Sequence, residues 1–204
     1  MNNDLKKYIE NNVFPEYEKN DSGHGIEHIK YVIERCFKFA EQFDDINSDM
    51  LYTMAAYHDI GHHIKKKNHE IISAEFFYCN DDMKRFFNEN QRIIIKEGIE
   101  DHRASAEHSP RSVYGKILSS ADRSTDINDF LRRTHLYTLR QNPDSSINDM
   151  VDRAYKHTSD KYGKNGYSKT FVIDEDYEKF LHKIDEMLSD KEKFKKYYIQ
   201  LNNL

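Results

Sequence analysis

The sequence has few of the residues that break helices or cross-link a chain. Its 204 residues include seven glycines, three prolines and two cysteines, and there is no tryptophan. Glycine and proline mark turns, and no strand-like alternation of apolar and polar residues persists between the turn signals that are present. This scarcity argues against a sheet-rich protein and predicts an all-α fold.

Other absences narrow the class of protein. Cys36 and Cys79 lie in aromatic-rich helical segments, so we expect both to be buried core residues rather than parts of a disulfide framework or a thiolate zinc site. No apolar run approaches the roughly 20 residues needed to span a bilayer. The first residues, MNNDLKKYIE, lack the apolar stretch of a signal peptide. We therefore expect a cytoplasmic protein without a membrane partner.

Composition and charge favour one small globular domain over residues 1–204, with two very small domains as the alternative. Apolar residues make up 37% of the chain and charged residues 33%, and the mean hydropathy is -0.93. This balance fits a compact core of Phe, Tyr and aliphatic residues beneath a charged surface. A formal charge of -5 argues against binding to a nucleic-acid duplex. It leaves room for a local basic pocket that binds a small phosphorylated molecule.

Apolar residues recur at helical spacing along most of the chain. Asp21 or Ser22 is expected to cap one helix, and Ser48 or Asp49 is expected to cap the next, for which Gly61 is a stop signal. The segments HEIISAEFFYC, ENQRIIIKEGIEDH and VYGKILSSADRS repeat the helical pattern. Four later helices are predicted over residues 126–140, 145–162, 174–188 and 191–201.

Four polar residues interrupt or directly follow these apolar faces. His28, His58 and Asp122 occupy positions where the helical pattern predicts an apolar side chain, and Asp59 directly follows His58. A buried carboxylate without a partner is costly, whereas a cation would satisfy both carboxylates and both imidazoles. This set of ligands suits Mn, Fe, Co, Zn or Mg, and a six-coordinate ion would keep positions open for water or substrate.

The segments HGIEHIKYV, AAYHDIGHH and GKILSSADR resemble, in order and spacing, the H…HD…D motifs of the HD superfamily of metal-dependent phosphohydrolases. The resemblance extends over about residues 21–129, and ISAEFF and IIKEGIEDHR also resemble helices of the small bacterial members. It implies a helical bundle of the HD type with the metal site among its central helices, onto which helices from residues 130–204 pack. It also implies His28, His58, Asp59 and Asp122 as the ligands of one divalent ion.

The resemblance further implies that the protein hydrolyses a phosphate ester or phosphoanhydride of a small substrate, such as a nucleotide. Asp59 would take part in catalysis as a ligand. One alternative is an oxygenase with two irons, which would require His69 and His102 to bind a second ion. The other is a non-catalytic nucleotide sensor, against which the intact ligand set argues. Neither the substrate nor the oligomeric state can be read from the sequence.

Several residues near the motifs are candidates for roles in the pocket. His62, four residues after His58, is a candidate catalytic proton acceptor, with a capping or surface position as the alternative. His24 lies between two glycines that would let a ligand approach the backbone, so it is a candidate substrate-binding residue. His63 is expected to be exposed.

His69, His102, Arg103 and Arg123 complete the candidates. His102 continues an inward-facing apolar stripe, which favours a place in the pocket, while His69 fits the first turn of a helix equally well as a polar surface residue. Arg103 and Arg123 each adjoin a candidate pocket residue, and arginine binds phosphate through two parallel hydrogen bonds. We therefore expect these two arginines to bind substrate and the lysines of the 65–67 run to be solvated.

Overall fold

The computed structural model describes residues 1–21 and 23–204, and it is all-helical within them, which confirms the predicted fold class. Two short 3-10 helices, Phe14–Lys19 and Asp81–Arg85, accompany the α-helices. The α-helices of the described residues are α1 (Asn3–Asn12), α2 (Ile26–Ala40), α3 (Ser48–Tyr57), α4 (His69–Tyr78), α5 (Glu89–Glu100), α6 (Val113–Ala121), α7 (Ile127–Gln141), α8 (Ile147–Tyr162), α9 (Glu175–Leu188) and α10 (Lys191–Asn202).

The described residues group into two compact units. The first comprises Met1–Asp122 and Thr170–Ile173, and thus helices α1 to α6. The second comprises Arg123–Lys169 and Asp174–Leu204, and thus helices α7 to α10. Each unit has its own apolar core. This division into two units does not test whether residues 1–204 form one domain, which stays a prediction.

Helix α3 is the centre of the first unit. Every residue from Met50 to Tyr57 is buried, so this helix is enclosed on all sides rather than on one stripe. It packs against α1, α2, α4, α5 and α6. Burying one large apolar side chain contributes about 1.5 to 3 kcal/mol. This packing fixes the end of α3, from which His58 and Asp59 project.

The predicted helix caps were wrong for both of the first two motif-bearing helices. Gly25 precedes α2 and provides no side-chain cap, while the Asp21 carboxylate accepts a hydrogen bond from the Gly23 amide instead. Ser22, the other candidate cap, lies outside the described residues. Asn47 caps α3 by accepting from the amides of Asp49 and Met50. Asn47 is the cap rather than Ser48 because its side chain, one position earlier, reaches the exposed amides of the first helical turn.

The predicted bounds of the later helices agree with the structure more closely than the predicted caps do. α3 ends at Tyr57, before the predicted stop at Gly61. The four later helices agree with prediction to within two residues at each end. Helix α1 was not predicted, because it buries only Leu5 and Ile9 and is otherwise polar. No helix within the described residues is long and apolar enough to cross a membrane.

The two cysteines differ in exposure. Cys36 is buried in the core of the first unit, as predicted. Cys79 is exposed at the end of α4, so the prediction that it is buried was wrong. It follows the last helical residue, Tyr78, and its thiol lies 3.5 Å from the Glu75 carboxylate on the outer side of the helix. Aromatic neighbours in the sequence thus did not determine which face of the helix the thiol occupies.

Candidate metal centre

The His58-Asp59 pair lies where the buried helix α3 gives way to a turn. His58 is the residue that caps the C-terminus of α3, and both side chains are buried. Two side chains from the first 3-10 helix and its C-terminal cap hold this turn. The Tyr17 hydroxyl donates to the Ala56 carbonyl at 2.8 Å, and the Asn20 side-chain amide donates to the Asp59 carbonyl at 3.0 Å. The chain direction after α3 is therefore fixed by tertiary contacts.

One oxygen of the Asp59 carboxylate faces the imidazoles of two different elements. Oδ2 lies 3.5 Å from His58 Nε2 and 3.7 Å from His28 Nε2. The Asp122 carboxylate joins them, with its Oδ1 3.1 Å from His28 Nε2 and 3.8 Å from His58 Nε2. We call His28, His58 and Asp122 the His28 subsite. Their ligand atoms are close enough together for one metal ion to contact all three.

The other oxygen of Asp59 faces a second pair of imidazoles. Oδ1 lies 3.1 Å from His69 Nε2, at the first residue of α4, and 3.6 Å from His102 Nε2, just beyond α5. The two Nε2 atoms are 3.1 Å from each other. We call His69 and His102 the His69 subsite. The ligand atoms of His58, Asp59 and His102 are also close enough together to hold an ion. Asp59 therefore lies between the two subsites.

Backbone carbonyls orient three of these imidazoles. Nδ1 of His58, His69 and His102 lies 2.8, 2.9 and 2.6 Å from the carbonyl oxygens of Ala55, Lys66 and Ile99, respectively. A carbonyl only accepts, so this geometry assigns a proton to Nδ1 and, in the neutral form of each ring, leaves the lone pair on Nε2. Metal-binding histidines commonly have their second nitrogen held in this way.

The electrostatics of the cluster favour a neutral His58 beside ionised carboxylates. Burial lowers the pKa of His58 to about 4, against the opposing effect of Asp59. Burial alone would raise the pKa of the Asp59 and Asp122 carboxyls, but the neighbouring His58 and His28, respectively, hold them well below their usual range. His58 Nε2 is buried and has no hydrogen-bond partner among the described residues. A buried lone pair beside two carboxylates fits a divalent cation.

His69 differs from His58 in its electrostatics. Burial lowers its pKa, but the hydrogen bond to Asp59 and the charge of Asp59 raise it further, so the net shift is upward. The contact with the Asp59 carboxylate therefore favours the protonated form of His69 when no metal competes. A metal ion at this position would displace that proton.

A second group of side chains lies beside the cluster. The rings of His24 and His62 are stacked with centroids 3.7 Å apart, and His24 Nδ1 lies 2.7 Å from Asp21 Oδ1. Burial and the charge of His24 lower the pKa of His62 to about 4. The His62 and His69 rings are 5.2 Å apart, so this group adjoins the His69 subsite. His63 is exposed, as predicted.

The two predicted substrate-binding arginines have different environments. Arg103 follows His102, is partly exposed, and places Nη1 3.3 Å from Glu70 Oε1. Arg123 belongs to the second unit, where it is buried and its Nε donates to the Lys169 carbonyl at 3.0 Å. Its role in substrate binding stays a prediction. Lys66, from the run expected to be solvated, forms an exposed ion pair with Asp21 at 2.7 Å.

Sequence reasoning missed three residues at this site: Asn20, Asp21 and Glu70. Asn20 connects the turn after α3 to the His24 carbonyl, and Asp21 contacts His24. Glu70 faces both His69 and Arg103. The spacing of Asp21 and His24 by three residues was a usable signal for the pair. Glu70 gave no signal, because a glutamate in the first turn of a helix is common on a solvated surface.

Comparisons with known proteins agree with this geometry. The sequence model of the HD domain matches residues 25–125, a range that contains both subsites. A crystal structure of a predicted HD superfamily hydrolase from an uncultured Thermotogales bacterium has a TM-score of 0.50 and 20% sequence identity to this chain, covering 76% of this chain and 87% of that one. No curated protein matches the sequence. The chain is an HD-domain protein.

Proposed function

We propose that this protein is a metal-dependent phosphohydrolase that acts on a nucleotide or another small phosphorylated metabolite. The HD domain and the His and Asp groups that could hold an ion support a metal-dependent hydrolase in general terms. The observation that carries the proposal is the convergence of four imidazole Nε2 atoms, each within 3.7 Å of an Asp59 oxygen. Such a cluster, rich in nitrogen and oxygen ligands, suits ions that catalyse hydrolysis.

In this proposal His28, His58, Asp59 and Asp122 hold a divalent ion. When bound, the ion would activate water and neutralise negative charge on a phosphoryl oxygen. The pKa of His62 is lowered to about 4, so in its neutral form one ring nitrogen can accept a hydrogen bond or a proton from water, while the other carries a hydrogen and donates. Its low pKa makes it a weak base, so its contribution is mainly to orient the water.

Arg103 and His24 would position the substrate. Arg103 carries a permanent charge, and its guanidinium can exchange the 3.3 Å contact with Glu70 for a phosphate oxygen. His24, half-buried beside His62, offers a ring nitrogen to the same side of the site.

We further propose that the His69 subsite can hold a second ion, to which Asp59 would also contribute a carboxylate oxygen. This differs from the expectation of a single ion, and it is supported by the short distances from Asp59 Oδ1 to His69 and His102. The same observation favours the second candidate function, an oxygenase with two irons. The two functions share the ligands and differ in the metal and in the reaction.

The experiment that tests the proposal combines metal analysis with a phosphate-release screen. Protein purified without chelator is assayed by mass spectrometry for bound metals and is then screened against nucleotides and sugar phosphates. We expect bound divalent metal and phosphate release that is lost in Asp59→Ala and Asp122→Ala. Asp82→Ala, which removes a carboxylate from the exposed Asp81–Arg85 turn, is the control and should retain activity.

Three results would overturn the proposal. Phosphate release that survives both ligand substitutions would show that the reaction does not depend on this cluster. Two bound irons with oxygen consumption and no phosphate release would favour the oxygenase. Tight nucleotide binding by the metal-loaded protein, with no phosphate release from any compound, would favour a non-catalytic sensor.

A further inference from the structure

A cavity of about 450 Å³ lies beside the His69 subsite in the first unit. Its walls include Glu70, Ile71, Glu100, Arg103, His108 and Arg111. We call it the Glu70 cavity. Its volume is within the range of pockets that hold small organic ligands. Two of its wall residues, Glu70 and Arg103, directly follow His69 and His102 in the sequence, so the cavity and the candidate metal cluster are built by the same two segments.

Glu70 connects the cavity to the cluster. Its side chain is 12% exposed, with Oε1 3.3 Å from Arg103 and Oε2 3.6 Å from His69 Nδ1. That His69 nitrogen already pairs with the Lys66 carbonyl at 2.9 Å. Glu70 Oε2 is buried and has no hydrogen-bond partner among the described residues. A buried carboxylate oxygen without a donor is costly, so the Glu70 carboxylate would be stabilised by rotating toward the cavity and accepting a hydrogen bond from a ligand there.

The other charged groups of the cavity are engaged with each other. Arg111 Nη2 donates to Glu100 at 2.6 Å and to Asp101 at 2.8 Å, and Arg111 Nε donates to Asp101 at 3.0 Å. These pairs hold the wall formed by the loop after α5. Glu70 Oε2, which has no donor among the described residues, therefore differs from the Glu100 carboxylate, which pairs with Arg111.

From these contacts we infer that the Glu70 cavity binds the organic part of the substrate and that the Glu70 carboxylate accepts a hydrogen bond from a hydroxyl group on it. This inference rests on the proposed phosphohydrolase function and narrows its substrate class. A carboxylate acceptor favours a neutral group rich in hydroxyls, such as a sugar or the ribose of a nucleoside, and disfavours an anionic group. Glu70 is a specificity-determining residue in this scheme, and Arg103 binds the phosphate.

The test measures binding without turnover, using adenosine and 2′,3′-dideoxyadenosine as probes. Calorimetric titrations of the metal-loaded protein should show that adenosine binds about tenfold or more tightly than the dideoxy compound, as expected for hydrogen bonds to a charged acceptor. Glu70→Gln should reduce that ratio to near one. Glu75→Gln removes the same charge from an exposed position on the same helix, outside the cavity walls, and should keep the ratio.

The phosphate-release assay supplies an independent readout. The ratio of kcat/KM for adenosine monophosphate to that for its 2′,3′-dideoxy analogue should follow the binding ratio and fall in Glu70→Gln. Equal binding of the two nucleosides by the unaltered protein, no binding of either, or an unchanged ratio in Glu70→Gln would each overturn the inference. Selective binding without phosphate release would instead refute the proposed function and leave the role of Glu70 standing.

Discussion

The shared position of Asp59 between the two subsites predicts how metal content responds to two carboxylate substitutions. Asp59→Asn removes a negative charge that faces both subsites, whereas Asp122→Asn removes one beside His28 and His58. At an effective dielectric constant of about 20, two unit charges 4 Å apart interact by about 4 kcal/mol. This energy corresponds to a loss of about a thousandfold in affinity.

We therefore expect the unaltered protein to retain two ions per chain, Asp122→Asn to retain one, and Asp59→Asn to retain neither at micromolar metal. Mass spectrometry of the metals after gel filtration gives the number of ions, and titration with Mn²⁺ or Zn²⁺ gives the affinities. Asp82→Asn, on the exposed Asp81–Arg85 turn, is the matched control. Circular dichroism of each variant checks that the helices are intact.

Two results would refute this reasoning. Equal loss of both ions in Asp122→Asn would mean that the subsites do not bind independently. Full metal content in Asp59→Asn would mean that the Asp59 charge is not what holds the ions.

Three further predictions follow from other contacts. His69→Gln should lower the metal content by one ion without unfolding the protein, since only the His69 subsite loses a ligand; unchanged metal content would contradict the second subsite. Gly61→Ala should destabilise the protein by about 1 to 3 kcal/mol in urea denaturation, because its Cβ would lie 2.9 Å from Ile72 Cβ and 2.6 Å from Ile72 Cγ2 on α4; stability equal to that of the unaltered protein would show that α4 shifts freely. Arg111→Ala should cost about 1 to 3 kcal/mol by the same measurement, because the buried Asp101 carboxylate loses the guanidinium and keeps the Arg111 backbone amide as a donor; a cost below about 1 kcal/mol would show that water replaces the guanidinium.

Metal removal can be compared across these variants. Any ligand that binds only the folded state raises the melting temperature, and the stabilisation grows with the logarithm of its concentration divided by its dissociation constant. Chelator should therefore lower the melting temperature of the unaltered protein more than that of Asp59→Asn, since the variant has less bound metal to lose. A chelator effect of the same size in both proteins would argue against metal binding at Asp59.

The sequence by itself determined the helical class and singled out the polar residues that interrupt its apolar stripes. His58 is a clear case: a helix that is apolar on every side leaves no solvated face, so a histidine at its end must be buried and needs a polar or ionic partner. Asp122 was recognisable for the same reason. Such patterns can be recognised without knowledge of the fold because they depend only on helical periodicity.

Tertiary structure alone decided that His69 joins the cluster. The sequence left His69 open between a metal ligand and a polar surface residue, whereas in the structure it faces Asp59. Its position arises because α4 and α5 pack together and deliver His69 and His102 to the same carboxylate oxygen. The role proposed for Glu70 could not be predicted from the sequence either. A carboxylate in the first turn of a helix differs from an ordinary surface residue only when packing removes water from one of its oxygens.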